Sequence, residues 1–164
     1  MNTGCSLAKA ISDLDKAIRL DPDDARTYQT AGTIDLDHHH YKDAIDDYNA
    51  AILRKRDFAD AYLRRGNAKM SLGQHAKAII DYTIAIHFNP TDARAYLYRG
   101  VSKWALDQAS EAQQDWRTAL KLAKQAGDTK LVKPTAKLLE SAATGELEGS
   151  DLKKINIRVS YQIR

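Results

Sequence analysis

The chain has 164 residues, 43% hydrophobic and 29% charged, which is typical of one globular domain or one repeat array. The net charge is only +3, so the chain lacks the basic excess of a nucleic-acid binder. Its single cysteine, Cys5, cannot form an intramolecular disulfide, which favours a reducing compartment. There is no signal-peptide pattern and no apolar run near the ~18 residues of a membrane span. We therefore expect a cytoplasmic protein that contacts neither membranes nor nucleic acid.

Residues 1–24 predict one amphipathic helix. Its apolar side chains recur at helical spacing on one face, which carries Leu7, Ala10, Ile11, Leu14, Ala17 and Ile18. By position it is the second half of the repeat described next, without a first half. Its apolar stripe therefore needs cover. Either the sequence is a fragment of a longer repeat array, or another chain supplies the cover, for example by dimerisation through this helix.

Three units of 34 residues follow, at 25–58, 59–92 and 93–126. Each unit has small and aromatic side chains at the same positions, and this regularity predicts two packed helices per unit. The matching sets are Tyr28, Tyr62 and Tyr96; Gly32, Gly66 and Gly100; Ala44, Ala78 and Ala112; Tyr48, Tyr82 and Trp116; and Ala51, Ala85 and Ala119.

This pattern resembles the tetratricopeptide repeat. The middle unit carries all the family's signature positions, namely Tyr62, Gly66, Ala78, Tyr82, Ala85 and Pro90. The resemblance covers about residues 1–126. It implies an all-α superhelical solenoid of antiparallel helix pairs, in which small residues let helices approach and aromatic rings fill the gaps.

Several residues predict where helices begin and end. Asp23 and Asp24 are suitable N-caps for the first helix of the unit at 25–58. Gly73 suits the left-handed position that closes a helix, and Asp107 takes the equivalent place one unit later. Lys124 replaces the usual proline, so we expect the second helix of the unit at 93–126 to continue to about Gln125.

The repeat pattern fades after residue 126. Residues 127–143 predict a capping helix with Leu131, Leu138 and Leu139 as contacts, although Pro134 would kink a helix that starts at Asp128. Residues 144–164 predict a polar linker and a strand-like tail. The tail alternates strictly, with one face made of Ile155, Ile157, Val159, Tyr161 and Ile163. Such a strand must pair with a copy of itself, pair with a partner, or stay disordered.

In the tetratricopeptide family, the first helices line a concave groove that holds peptides. Leu63, Asn67 and Met70 have i, i+4, i+7 spacing, and each such set lies on one face of its helix. The second set is Leu97, Val101 and Trp104. The partner-binding residues that the resemblance implies are Arg26, Gln29, Leu63, Asn67, Met70, Arg94, Leu97, Val101 and Trp104. We expect an exposed groove that is apolar at its centre and polar at its ends. The alternative is that the chain's own C-terminal segment covers this face.

Family members that bind chaperones hold a C-terminal carboxylate with Lys, Asn and Arg side chains. At the matching positions this chain has Gln29, Thr33, Arg64, Arg94 and Tyr98. Only Arg94 keeps the chemistry, so a carboxylate clamp is not expected. An internal apolar segment or a helix of a partner protein fits better.

Charged residues also recur with the repeat. Arg65 and Arg99 share one position of the first helices, and Asp47, Asp81 and Asp115 share one position of the second helices. The spacing predicts structural ion pairs between paired helices rather than an anion site.

The remaining motifs do not predict chemistry. His38, His39 and His40 are adjacent on a turn and do not converge as metal ligands must. No phosphate loop or activated nucleophile is present, so we expect neither an enzyme nor a cofactor. The sequence thus predicts a non-catalytic protein–protein interaction module, with self-assembly through the N-terminal helix or the C-terminal tail as the alternative.

Overall fold

The computed structural model describes residues 3–147 and residue 152, and over these residues every regular element is a helix. The elements are α1 (Thr3–Leu20), α2 (Ala25–Asp37), α3 (Tyr41–Arg54), α4 (Ala59–Ser71), α5 (His75–Phe88), α6 (Ala93–Trp104), α7 (Ala109–Gln125) and α8 (Thr129–Thr144). The predicted all-α solenoid is confirmed. The predicted strand-like tail lies outside the described residues.

Each predicted unit contains one helix pair, and neighbouring helices pack in chain order from α1 to α8. The first helices of the units, α2, α4 and α6, also contact one another directly. This is the arrangement expected on the inner, concave side of a curved stack. We call the side formed by α2, α4 and α6 the concave face.

The two helices of a unit approach closely because a glycine faces an aromatic ring. A Cβ atom placed on Gly66 would lie 2.7 Å from Cε1 of Tyr82, and one on Gly100 would lie 2.5 Å from Nε1 of Trp116. Both rings are completely buried. The periodic glycines and aromatics are therefore complementary parts of the core.

The helix ends follow the predicted signals. Asp24 and Asp92 cap α2 and α6, because each carboxylate accepts a hydrogen bond from a backbone N–H at the helix start. Gly73 closes α4 with φ 73°, and Asp107 adopts φ 61° at the same place after α6. An aspartate tolerates this left-handed conformation better than most residues, so the turn survives without glycine. As predicted, α7 ends at Gln125.

The capping helix α8 contains Pro134 in its interior. The proline removes one backbone hydrogen bond of the helix. The buried face of α8 offsets this loss, since Leu131 and Leu138 join the core and the Thr135 hydroxyl donates to the Leu131 carbonyl at 2.7 Å. No helix within the described residues is both long enough and apolar enough to cross a membrane.

Candidate functional site

A polar cluster on the concave face joins three successive first helices. The Asp60 carboxylate of α4 accepts hydrogen bonds from the Gln29 amide of α2, from Arg64 Nε at 2.6 Å and from Arg94 Nη2 of α6 at 3.4 Å. Asp92 holds the same Arg94 group at 2.7 Å and raises the pKa of Arg94, so the guanidinium stays charged. The cluster thus places two cations, Arg64 and Arg94, around the partly buried carboxylate of Asp60.

Arg64 has hydrogen-bonding capacity left over in this cluster. Its side chain is 13% exposed, and its Nη1 atom is buried without a hydrogen-bond partner among the described residues. A buried unpaired donor costs free energy, and an incoming carbonyl or carboxylate oxygen would remove that cost. The sequence-based set omitted Arg64 and Asp60, although their i, i+4 spacing on one helix was a readable signal.

The apolar residues of the predicted groove are buried in the structure. Exposed fractions are 2% for Leu63, 4% for Met70, 1% for Leu97 and 4% for Val101, and all four belong to the main core cluster. Helical spacing shows that residues share a face but not whether another part of the chain covers that face. Of the predicted apolar contacts, only Trp104 is half-buried.

Asn67 and Arg26 differ in how accessible they are on the concave face. Asn67 is 5% exposed, and its side-chain oxygen accepts a hydrogen bond from the Tyr82 hydroxyl at 2.9 Å. Asn67 therefore orients a core ring. Arg26, in contrast, is exposed on the first turn of α2. The accessible part of the predicted site lies towards the start of the first helices and at Trp104.

Two of the three predicted ion-pair positions form bidentate pairs. Arg65 donates to both oxygens of Asp81 at 3.0 and 2.7 Å, and Arg99 does the same to Asp115 at 2.9 and 2.7 Å. A lysine joins each pair, Lys69 at 2.7 Å and Lys103 at 2.8 Å. Each buried aspartate is thereby neutralised by two cations from the paired helix.

Among the described residues, Asp47 does not form the predicted ion pair. The residues that correspond to the arginine and lysine of the later units are Ala31 and Asp35. Burial and the facing Asp35 carboxyl raise the pKa of Asp47 to about 6, with smaller contributions from Asp43 and Asp46. The correction has a simple cause: the aspartate recurs in every unit, but its cationic partners do not.

The three turn histidines contact three different groups. Nδ1 of His38 lies 2.7 Å from the Ile34 carbonyl oxygen, that of His39 lies 2.9 Å from the Tyr41 hydroxyl, and that of His40 lies 3.4 Å from Asp35. Over the part of the chain that the structure describes, no three His, Cys, Asp or Glu side chains group as metal ligands would.

The stacked helix pairs, with a small residue under each aromatic ring, define the class of the protein as an α-helical solenoid. Residues 59–92 match the family model of the tetratricopeptide repeat. Solved structures of tetratricopeptide repeat domains share the fold over most of the chain. The chain thus contains a tetratricopeptide repeat at residues 59–92, and its fold is that of tetratricopeptide repeat proteins.

Three solved structures illustrate the similarity. MamA is 29% identical with a TM-score of 0.67, and the match covers 75% of this chain and 67% of MamA. The tetratricopeptide repeat domain of Arabidopsis OM64 is 27% identical with a TM-score of 0.65, covering 72% and 95%. The first such domain of Spaghetti, bound to an HSP90 peptide, is 22% identical with a TM-score of 0.68, covering 76% and 94%. No curated protein sequence matches the chain.

Proposed function

We propose that this protein is a non-catalytic interaction module that holds a segment of a partner protein on its concave face. The observation that carries the proposal is the polar cluster in which Gln29, Arg64 and Arg94 converge on Asp60. Side chains from three successive units meet there, and one buried guanidinium donor of Arg64 has no partner in the described part of the chain. Such a cluster can fix the register of a bound chain through its carbonyl or carboxylate oxygens.

The comparisons support this proposal through the fold. The Spaghetti domain, which shares the fold, is bound to an HSP90 peptide. In this chain the corresponding contacts would come from Arg26, Gln29, Arg64, Arg94 and Trp104. The departure from the carboxylate clamp favours an internal segment of the partner over a free C-terminus, because Gln29 stands where the clamp has a lysine and Thr33 where it has an asparagine.

A peptide-display selection against the full chain tests the proposal, with affinities measured for the selected peptides. Replacing both arginines (Arg64→Ala with Arg94→Ala) should weaken binding at least tenfold, because it removes both cations of the cluster. The matched control is Arg117→Ala, which removes an exposed arginine from α7. Equal affinities for the double variant and the control would place the binding site elsewhere. Circular dichroism of each variant shows that the helices are retained.

Self-assembly is the second candidate function, and exposed apolar side chains on α1 favour it. Ile11 is 47% exposed and Leu20 is 87% exposed. Sedimentation equilibrium of the full chain gives its mass in solution directly. A dimer that Ile11→Glu dissociates would support assembly through α1, and a monomer at all concentrations would exclude it.

A further inference from the structure

The charges of the concave polar cluster are already paired within the chain. Arg64 donates from Nε to the Asp60 carboxylate at 2.6 Å. Arg94 donates to both oxygens of Asp92, from Nε at 2.9 Å and from Nη2 at 2.7 Å. Two guanidinium groups thus face two carboxylates, and these four side chains carry no net charge. The cluster offers a ligand hydrogen-bonding capacity rather than an unbalanced positive charge.

The surroundings of Arg64 add further negative charge. Burial raises the pKa of Tyr48 and Tyr98, and the charge of Arg64 acts against this rise at both hydroxyls. Arg64 therefore lies within electrostatic range of both tyrosines. Two further carboxylates act there, since Asp37 raises the pKa of Tyr48 and Asp128 raises that of Tyr98. An anion that approached Arg64 would meet this negative charge without a surplus of guanidinium groups.

The charge of an incoming group also decides what its burial costs. Nη1 of Arg64 is a buried donor with no partner among the described residues. Removing an ionised carboxylate from water costs much more free energy than removing a neutral amide, and a positive charge that is already paired offsets little of this cost. An amide oxygen accepts a hydrogen bond from Nη1 without adding a charge. A neutral acceptor is therefore better suited to this position.

We infer that the group which Arg64 receives from the partner is an uncharged amide oxygen and not a carboxylate. The inference rests on the proposed function, because it names the chemistry that the polar cluster recognises. The oxygen belongs to the main chain of the bound segment or to an asparagine or glutamine side chain, which present the same acceptor. The chain would accordingly select segments that carry no acidic residue at this point.

A peptide-display library that omits aspartate and glutamate tests the inference directly. We expect it to yield binders, and Arg64→Ala should weaken their binding at least fivefold. This loss should agree within twofold at 50 and 500 mM NaCl, because salt screens a contact between two charges much more than one with a neutral acceptor. Binders that depend on Arg64 only when the library contains acidic residues would overturn the inference, as would a loss that disappears at high salt.

A change of charge within the cluster provides the second test. Asp92→Asn keeps the N-cap of α6, because asparagine caps a helix as well as aspartate does, but it leaves the cluster with one net positive charge. Selection from a library of all amino acids should then enrich acidic residues at least threefold relative to the unchanged chain. The matched control is Asp24→Asn, which makes the same change at the cap of α2 and should not enrich them. Equal frequencies of acidic residues for all three proteins would contradict the inference.

Alanine substitution along a selected peptide identifies the source of the oxygen. If one asparagine or glutamine supplies it, its replacement should abolish the effect of Arg64→Ala, whereas a main-chain oxygen keeps the effect in every substituted peptide. An acidic peptide residue whose replacement abolishes the effect would overturn the inference.

The two proposals can fail separately. Binding that survives the double arginine change, or a failure of both libraries to yield binders, refutes the proposed function and the inference with it. Binding that requires both Arg64 and a carboxylate of the peptide refutes the inference alone.

Discussion

The Asp35 carboxyl faces that of Asp47 across the α2–α3 pair, where the next two units place a lysine and an arginine against the equivalent aspartate. Asp81 and Asp115 are each neutralised by two cations. Asp47 instead has a carboxyl neighbour. The first full unit therefore carries unfavourable electrostatics that the later units lack.

This pair predicts a stability that depends on pH. The pKa of Asp47 is raised to about 6, so the folded chain binds its proton more tightly than the unfolded chain. Stability should then fall as pH rises from about 4 through 6. Asp47→Asn should remove this fall and raise stability at pH 7.5 by about 1 kcal/mol, after allowance for solvent screening of a half-buried group.

Urea unfolding of both proteins at pH 4.5 and pH 7.5 measures the effect. The matched control is Glu140→Gln, an exposed carboxylate on α8 whose replacement should shift neither midpoint. A stability difference between Asp47→Asn and the unchanged chain that is the same at both pH values would contradict the prediction.

The two partners of the buried ion pair should differ in their sensitivity to replacement. Arg65→Leu leaves the 1% exposed Asp81 paired with Lys69 and should cost about 1–2 kcal/mol. Asp81→Leu leaves two cations that are each 16% exposed without a counter-charge, and it should cost about 3–5 kcal/mol. Thermal melts of both variants give the order, and the same comparison at Arg99 and Asp115 repeats it. The reverse order would refute this account.

The helical glycines predict a steric penalty. Gly100→Ala should destabilise by about 2 kcal/mol, because overpacking against Trp116 exceeds the gain of up to ~1 kcal/mol in helix propensity. The Trp116 ring cannot withdraw easily, since its Nε1 donates to the Leu97 carbonyl at 3.2 Å.

Gly73→Ala is the informative comparison for this variant. No atom lies within 4 Å of the added carbon, so its cost should come only from the left-handed φ and be about 1 kcal/mol. Denaturant midpoints of the two variants should separate the steric penalty from the conformational one. An unchanged or higher midpoint for Gly100→Ala would show that the helix pair can open.

Replacing a residue by glutamate should distinguish core positions from surface positions on the concave face. Met70 is 4% exposed, and its sulfur atom lies 3.7 Å from the Tyr82 hydroxyl. Met70→Glu would bury an unpaired charge there and should abolish cooperative unfolding. Trp104→Glu should leave a folded chain, because Trp104 is only half-buried against Trp116. Thermal circular dichroism distinguishes them, and a fully folded Met70→Glu variant would mean that this position is accessible after all.

The periodicity of the sequence was sufficient to predict the architecture. The recurrence of glycine under an aromatic ring dictates how closely paired helices approach, and Asp24, Gly73 and Gln125 mark helix boundaries where the structure has them. The ion pairs of Arg65 and Arg99 could also be predicted from the sequence. Both partners recur with the repeat, so a contact made in one unit is made again in the next.

Burial and charge balance required the tertiary structure. Leu63 and Met70 share a helix face by spacing, yet only the structure shows that both are buried. Asp47 looked equivalent to Asp81 until its neighbours across the helix pair were known. Local patterns determine which residues point together, whereas exposure and pKa are set by everything that packs around them.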